Sequence, residues 1–482
     1  MSLSGVFFVF LFFPSSILLY RLIPEKWRNS LLLALSLIFI SFGNPADLIL
    51  IGLSTVFNYL TALEIDGLRS MKREKTKKLV LATGIAVNTA LLIFYKYCIF
   101  LMCNIGLNVN FGIPAAPVGL SFFTFSAISC LCDVSKGDET PLKNPFDFAL
   151  FISFFGKLSS GPIVKYRDMA RQIKDRTMTA TSVESGMKLF LIGLGKKLII
   201  SGSLGKFFNA FRTQDISTMS TVTAWLGALF YSLMLYYDFS GYSDMAIGIG
   251  RIFGFSFSKN FDHPFISSSM TDFWRRWHIS LGAWFRDYIY IPMGGSRVSK
   301  SRHILNLSVV WLLTGLWHGA NWTFVVWGLY HLVLLLLEKM VFKKILKRIP
   351  TIIKTILTFL LTVIGWTIFF SDSLSTAEAY LLRMFGLGGS GLVDSMGKYY
   401  LASGGILLFV AMIGATPLLS AIGSKIEKRD SVLVKVSTAV FFALLLLIST
   451  AFMISERCHH SSTRSSDGKE DKSNHAIQSK IT

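Results

Sequence analysis

From Ile304 to Leu337 the chain carries no aspartate, glutamate, lysine or arginine. One helix crosses a ~30 Å hydrocarbon core with ~20 apolar residues, so this run is too long for one span and reads as bent or double. Shorter apolar runs recur from end to end: Val6–Leu22, Ser30–Phe42, Leu48–Leu63, Leu79–Leu101, Val118–Val134, Phe146–Phe155, Met187–Ser203, Thr221–Tyr237, Ile353–Phe370, Gly404–Leu419 and Val432–Phe452. By length they predict an all-α polytopic membrane protein with about eleven membrane-embedded helices. The first run lacks a basic leader and a clear cleavage site, so it reads as a retained span.

Composition excludes a water-soluble globule. The chain is 52% hydrophobic and 16% charged, against ~25% charged in soluble domains. The net charge of +20 sits in short loops and at the C-terminal end. That placement fits the positive-inside rule and anionic lipid headgroups, and no nucleic-acid groove is expected. Arg21, Lys26 and Arg28, then Arg69 to Lys78, mark cytoplasmic loops. The loop Gly43–Asp47 has no basic residue and reads as external. Cys98, Cys103, Cys130, Cys132 and Cys458 read as free thiols without metal-ligand spacing. No repeat is visible. Ser256–His303 is aromatic, basic and too polar to span, so it reads as amphipathic helices at the cytoplasmic interface. Residues 1–454 form the membrane domain, and 455–482 a polar, disordered tail.

Two histidines stand out. His318 lies in Leu316-Trp317-His318-Gly319-Ala320-Asn321-Trp322, and an ionisable group at membrane depth is by default a functional hypothesis. Helical spacing would place Thr314 and Trp322 on its face. Gly315 and Gly319 lower the bulk beside it, so a backbone or a substrate can approach. His318 can then take a proton from a hydroxyl; the plain alternative is a histidine satisfied between helices. His278 lies in Asp272-Phe273-Trp274-Arg275-Arg276-Trp277-His278. The tryptophans there suit a headgroup-level anchor, and Arg275, Arg276 and Arg286 suit phosphates. Asp238 and Asp244, in Tyr237-Asp238-Phe239-Ser240-Gly241-Tyr242-Ser243-Asp244, either line a watery cavity or pair with the basic interfacial helices; an ion pair is the plainer reading and no metal is expected. Breaks at Pro117-Val118-Gly119 and Gly161-Pro162 are helix ends or the walls of a tunnel. No nucleophile elbow is present, so a direct transfer is the simpler chemistry.

Together these runs resemble the membrane-bound O-acyltransferase family, in particular its bacterial branch that O-acetylates exported polysaccharides such as alginate. The matching segments are Pro117–Phe125, Gly161–Asp168, Tyr237–Asp244, Asp272–Leu281, Trp284–Pro292 and Gly315–Ala320, in the family's order. The resemblance implies a helical core around a tunnel, with His318 at the catalytic position and His278 at the second characteristic one. It implies an acyl thioester donor from the cytoplasm, acetyl-CoA, with no cofactor. It further implies an extracytoplasmic acetyltransferase partner and a bacterial cytoplasmic membrane. Trp274, Arg275, Arg276, Arg286, Asp238 and Asp244 are the candidate substrate and CoA contacts. Ser126, where the family often has Gln, and Lys157 depart from the pattern. Rival readings are D-alanyl transfer to teichoic acid, and a proton-coupled transporter or export subunit in which His318, Asp238 and Asp244 relay protons.

Overall fold

The computed structural model describes residues 1–107, 115–158, 161–388, 391–429 and 431–466. Among them every regular element is helical. Six helices are long and apolar enough to cross a bilayer: Asp47–Ser70, Glu74–Asn104, Trp322–Val341, Thr351–Phe370, Ser395–Gly414 and Val432–Ser455. Each apolar run foreseen in the sequence falls largely in helix, but Phe146–Phe155 is interrupted at Phe154 and Gly404–Leu419 is broken by a turn between Ser395–Gly414 and Leu418–Glu427. The last helix is regular to Ser466; the rest of the expected tail, 467–482, lies outside the described residues.

The chain divides into two compact units. One comprises Met1–Phe190, Tyr242–Lys259 and Glu456–Thr482; the other comprises Leu191–Gly241 and Asn260–Ser455. In the first unit, Asn58 and Asn88 exchange amide hydrogen bonds of 2.7 and 3.2 Å between two apolar helices. Such pairs join helices where lipid gives no hydrophobic drive. The helix Leu120–Lys136 starts after Gly119, whose φ of 73° and contact with Leu158 both require glycine. The two departures noted above meet here: Lys157 Nζ donates to Ser126 Oγ at 2.9 Å and lies 4.4 Å from the centre of the Phe151 ring. A buried ammonium needs such partners.

In the second unit, Ile304–Leu337 resolves into two helices, Lys300–His318 and Trp322–Leu336. Glycines allow the pair to touch. A Cβ at Gly315 would collide with the Phe324 carbonyl, and one at Gly328 would lie 2.5 Å from the Trp311 carbonyl oxygen. The glycines near His318 therefore admit a neighbouring backbone. Helix Thr351–Phe370 packs on the second of the pair, Tyr330 donating to the Leu361 carbonyl at 2.8 Å.

The segment read as interfacial helices contributes short pieces to this unit: Met270–Arg276, Ile279–Phe285 and Arg286–Tyr290. Trp277 and Trp284 are buried inside the protein at 4% exposure each, not held as headgroup anchors. Trp277 faces Trp366 at 4.8 Å and Phe261 at 5.1 Å. Short helices bury little apolar surface on their own, so their large rings supply it. Ser269 caps the Asp272 amide at 3.1 Å, and Glu338 accepts the Met270 amide at 2.7 Å. Both satisfy amide groups that a helix start leaves open.

Candidate active site

His318 is the last residue of its helix. Gly319 leaves with extended backbone, φ 166° and ψ 170°. Asn321 starts the next helix, its Oδ1 accepting the Thr323 amide at 3.0 Å while its Nδ2 donates to the Asp372 carbonyl at 2.9 Å. The imidazole thus sits at a helix break rather than midway along a span. Trp322 opens the next helix, so the expected shared face with His318 does not form; Thr314, one turn back, stays on the same helix. Broken backbone at membrane depth survives where protein or a cavity surrounds it. A helix C-terminus also favours positive charge forming beside it.

Four aromatic rings frame the half-buried imidazole. Trp327 meets it edge-on at 5.0 Å and Phe369 at 4.9 Å. Trp317 lies at 4.8 Å and Phe324 at 6.2 Å. Three helices supply them. Such a frame holds one ring orientation and keeps the dielectric low, which strengthens any charge developing inside.

His278 shares the Trp317 ring with His318, at 5.7 Å. It is 2% exposed and adopts φ 45°, a left-handed conformation that costs a non-glycine residue roughly 1–2 kcal/mol. Its Nδ1 lies 3.2 Å from Asn260 Oδ1, and Nε2 has no hydrogen-bond partner among the described residues. Burial pushes its pKa down to about 3, so the ring stays neutral at physiological pH. Strain held beside an unpartnered ring nitrogen is a pattern of functional sites.

The other candidates separate. Trp274 donates to His331 Nδ1 at 3.4 Å and packs on Trp327 at 5.6 Å, one ring from His318. Arg276 is held by Asp272 at 2.9 Å, and Arg286 by Asp287 at 2.9 Å. Arg275 is exposed. Asp238 pairs with Lys197, so its base comes from the turn Lys196–Ser201 and not from the arginines near His278. Asp244 lies half-buried farther along the same helix, in the stretch that belongs to the first unit.

Sequence reasoning missed Asn260, Trp327 and Phe369. Trp327 and Phe369 looked like ordinary apolar helix residues. Asn260 had one signal, a polar cluster with Asp262 and His263 inside an aromatic stretch.

Known proteins resemble this chain over most of its length. The family model described as MBOAT, membrane-bound O-acyltransferase family, matches residues 128–372, a stretch containing both histidines. The chain is 40% identical over 396 residues to a Pseudomonas aeruginosa protein named "Probable alginate O-acetylase AlgI", covering 80% of this chain and 75% of that one. It is 35% identical over 424 residues to a peptidoglycan O-acetyltransferase of Helicobacter pylori, covering 80% of each. A teichoic acid D-alanyltransferase of Bacillus subtilis is 33% identical over 234 residues, 45% of this chain and 58% of that one. With a family model over half of its length and relatives near 40% identical over 80% of it, the chain is an O-acyltransferase and belongs to the membrane-bound O-acyltransferase family.

Proposed function

We propose that the chain moves an acetyl group from a cytoplasmic thioester, acetyl-CoA, toward hydroxyls of an exported cell-surface polysaccharide such as alginate. The observation that carries this reading is His318, held at the helix break by rings from three helices. An imidazole nitrogen accepts the proton of the attacking hydroxyl. The oxygen bonds to the thioester carbon, the carbon–sulfur bond breaks, and the departing thiolate takes the proton back. Partial charge at the helix end eases the transient imidazolium.

The finer architecture belongs to the same proposal. The apolar runs are long enough for about eleven embedded helices, and the family resemblance adds a tunnel through them and a place in the bacterial cytoplasmic membrane. Arg275 and Arg286 contact the CoA phosphates, both being exposed. Arg276 orients the loop through Asp272. An extracytoplasmic acetyltransferase partner completes delivery to the polymer.

D-alanyl transfer has less support, since the D-alanyltransferase likeness covers 45% of this chain against 80% for the acetylases. A proton relay has less still, with Asp238 paired to Lys197. The test is the surface polymer of the native host with the gene deleted, then restored. Loss of O-acetyl esters on deletion, recovered by wild type and not by His318→Ala, supports the proposal. Loss of D-alanyl esters with acetylation intact, or no change in either, contradicts it.

A further inference from the structure

Asn260 closes a small polar knot beneath His278. Its Oδ1 accepts the Ser280 amide at 3.1 Å and the Ser280 hydroxyl at 2.9 Å. Its backbone carbonyl accepts the Ile279 amide at 2.9 Å, and the Asp262 amide donates to the Arg276 carbonyl at 2.9 Å. The two chain segments that carry Asn260 and His278 are thereby tied side by side. The Ser280 N–H also fixes which end of the Asn260 amide is oxygen, since a backbone N–H cannot face an NH₂ group.

That assignment has a consequence for the imidazole 3.2 Å away. An amide oxygen only accepts, so the His278 Nδ1 carries the proton and donates it. In a neutral ring Nε2 is then a lone pair. This Nε2 is buried and accepts no hydrogen bond from any described protein group. The rings turned toward His278 are Phe239 at 4.6 Å from the helix Thr221–Ile252, Phe261 at 6.3 Å from its own loop, and Trp317 at 5.7 Å from the His318 helix. None of them titrates. Asn260 is the polar side chain that sets the tautomer.

We propose that Asn260 is a positioning residue for acyl transfer: by accepting the Nδ1 proton of His278, it presents the Nε2 lone pair as a standing proton acceptor beside the ring that His278 shares with His318. The arrangement follows the logic of an orienting group behind a catalytic base, with a neutral amide in the place of a carboxylate. The inference rests on the acyl-transfer reading above. An amide leaves the imidazole able to accept at any ordinary pH, where a carboxylate would hold a proton on it.

The experiment uses the purified full chain in lipid nanodiscs, with acetyl-CoA as the probe and free CoA as the readout across pH. Asn260→Asp keeps the oxygen and adds charge beside Nδ1. The acidic limb of kcat/KM should move to higher pH by one unit or more. Asn260→Ala frees the tautomer, and kcat should fall about tenfold or more with KM unchanged. A purely structural residue would move neither the limb nor the split between kcat and KM. A second measurement stands apart from how these variants fold: ring-labelled nitrogen-15 histidine spectra of the wild type, with the His278 signal identified by its loss in His278→Ala. An unprotonated Nε2 supports the inference; an unprotonated Nδ1 overturns it, as does an unmoved limb in folded Asn260→Asp. If His318→Ala is inert while both Asn260 variants behave as wild type, the acyl-transfer reading stands and this inference falls. If the wild type consumes no acetyl-CoA, that reading falls, and the spectra still decide the tautomer.

Discussion

His318 meets Trp327 edge-on, ring centres 5.0 Å apart and planes at 86°. The two residues sit on successive helices joined by Gly319, Ala320 and Asn321. The orientation of the imidazole is therefore tied to how closely those helices pack. Edge-to-face pairs contribute about 0.5–1.5 kcal/mol beyond area burial, enough to bias one ring pose over another.

Replacing the ring should therefore tell on the chemical step. Trp327→Leu is expected to lower kcat for thioester consumption about tenfold with KM little changed, because His318 remains but loses its fixed pose. Steady-state kinetics on the purified variant check this.

Gly328→Ala tests the helix contact itself. The added Cβ would lie 2.5 Å from the Trp311 carbonyl oxygen, which is backbone and cannot swing aside. The helices must part, and stability should drop by about 1–3 kcal/mol. Gly405→Ala is the control: its Cβ meets only Leu401 Cδ1, at 3.7 Å. Thermal unfolding in detergent should show a lowered midpoint for the first and a near-native one for the second.

The buried His278 makes stability depend on pH. Above the ordinary imidazole value of 6.5 the folded and unfolded chains are both neutral at this ring. Below it, the unfolded chain takes up a proton that the folded chain refuses until about pH 3. Through this group stability should fall on acidification, by up to about 1.4 kcal/mol per pH unit between those limits. His278→Gln should flatten that part of the curve of unfolding midpoint against pH.

The Lys197–Asp238 pair is mostly buried, with side-chain exposures of 12% and 21%. Removing Asp238 takes away the carboxylate that faces the Lys197 ammonium. Asp238→Asn should cost about 2 kcal/mol or more, and Lys197→Met with Asp238→Leu should recover part of it. A double-mutant cycle on unfolding free energies gives the coupling.

Much of the architecture was legible because lipid makes hydrophobic length a direct signal. The runs around Leu79–Leu101 and Ile353–Phe370 became single long helices. His318 was legible for the same reason, as an ionisable side chain in an apolar run. That its run bends or doubles was legible from length, but the place of the break beside His318 was not: Gly319 and Asn321 are weak local signals, and the stop depends on the Asn321 cap and its bond to the Asp372 carbonyl. The interior burial of Trp277 and Trp284 was hidden as well, since indoles suit headgroups and protein cores alike. The partner of Asp238 could not be read either, because Lys197 lies 41 positions away and the pairing is a matter of packing.

The most direct test of the account is single-turnover release of CoA from acetyl-CoA by the purified chain, with a soluble oligosaccharide acceptor, comparing wild type with His318→Ala and adding free imidazole. The account predicts a fall of about 10²–10⁴-fold in a variant that still folds, with imidazole restoring part of the rate. A folded His318→Ala that transfers acetyl at the wild-type rate would contradict it.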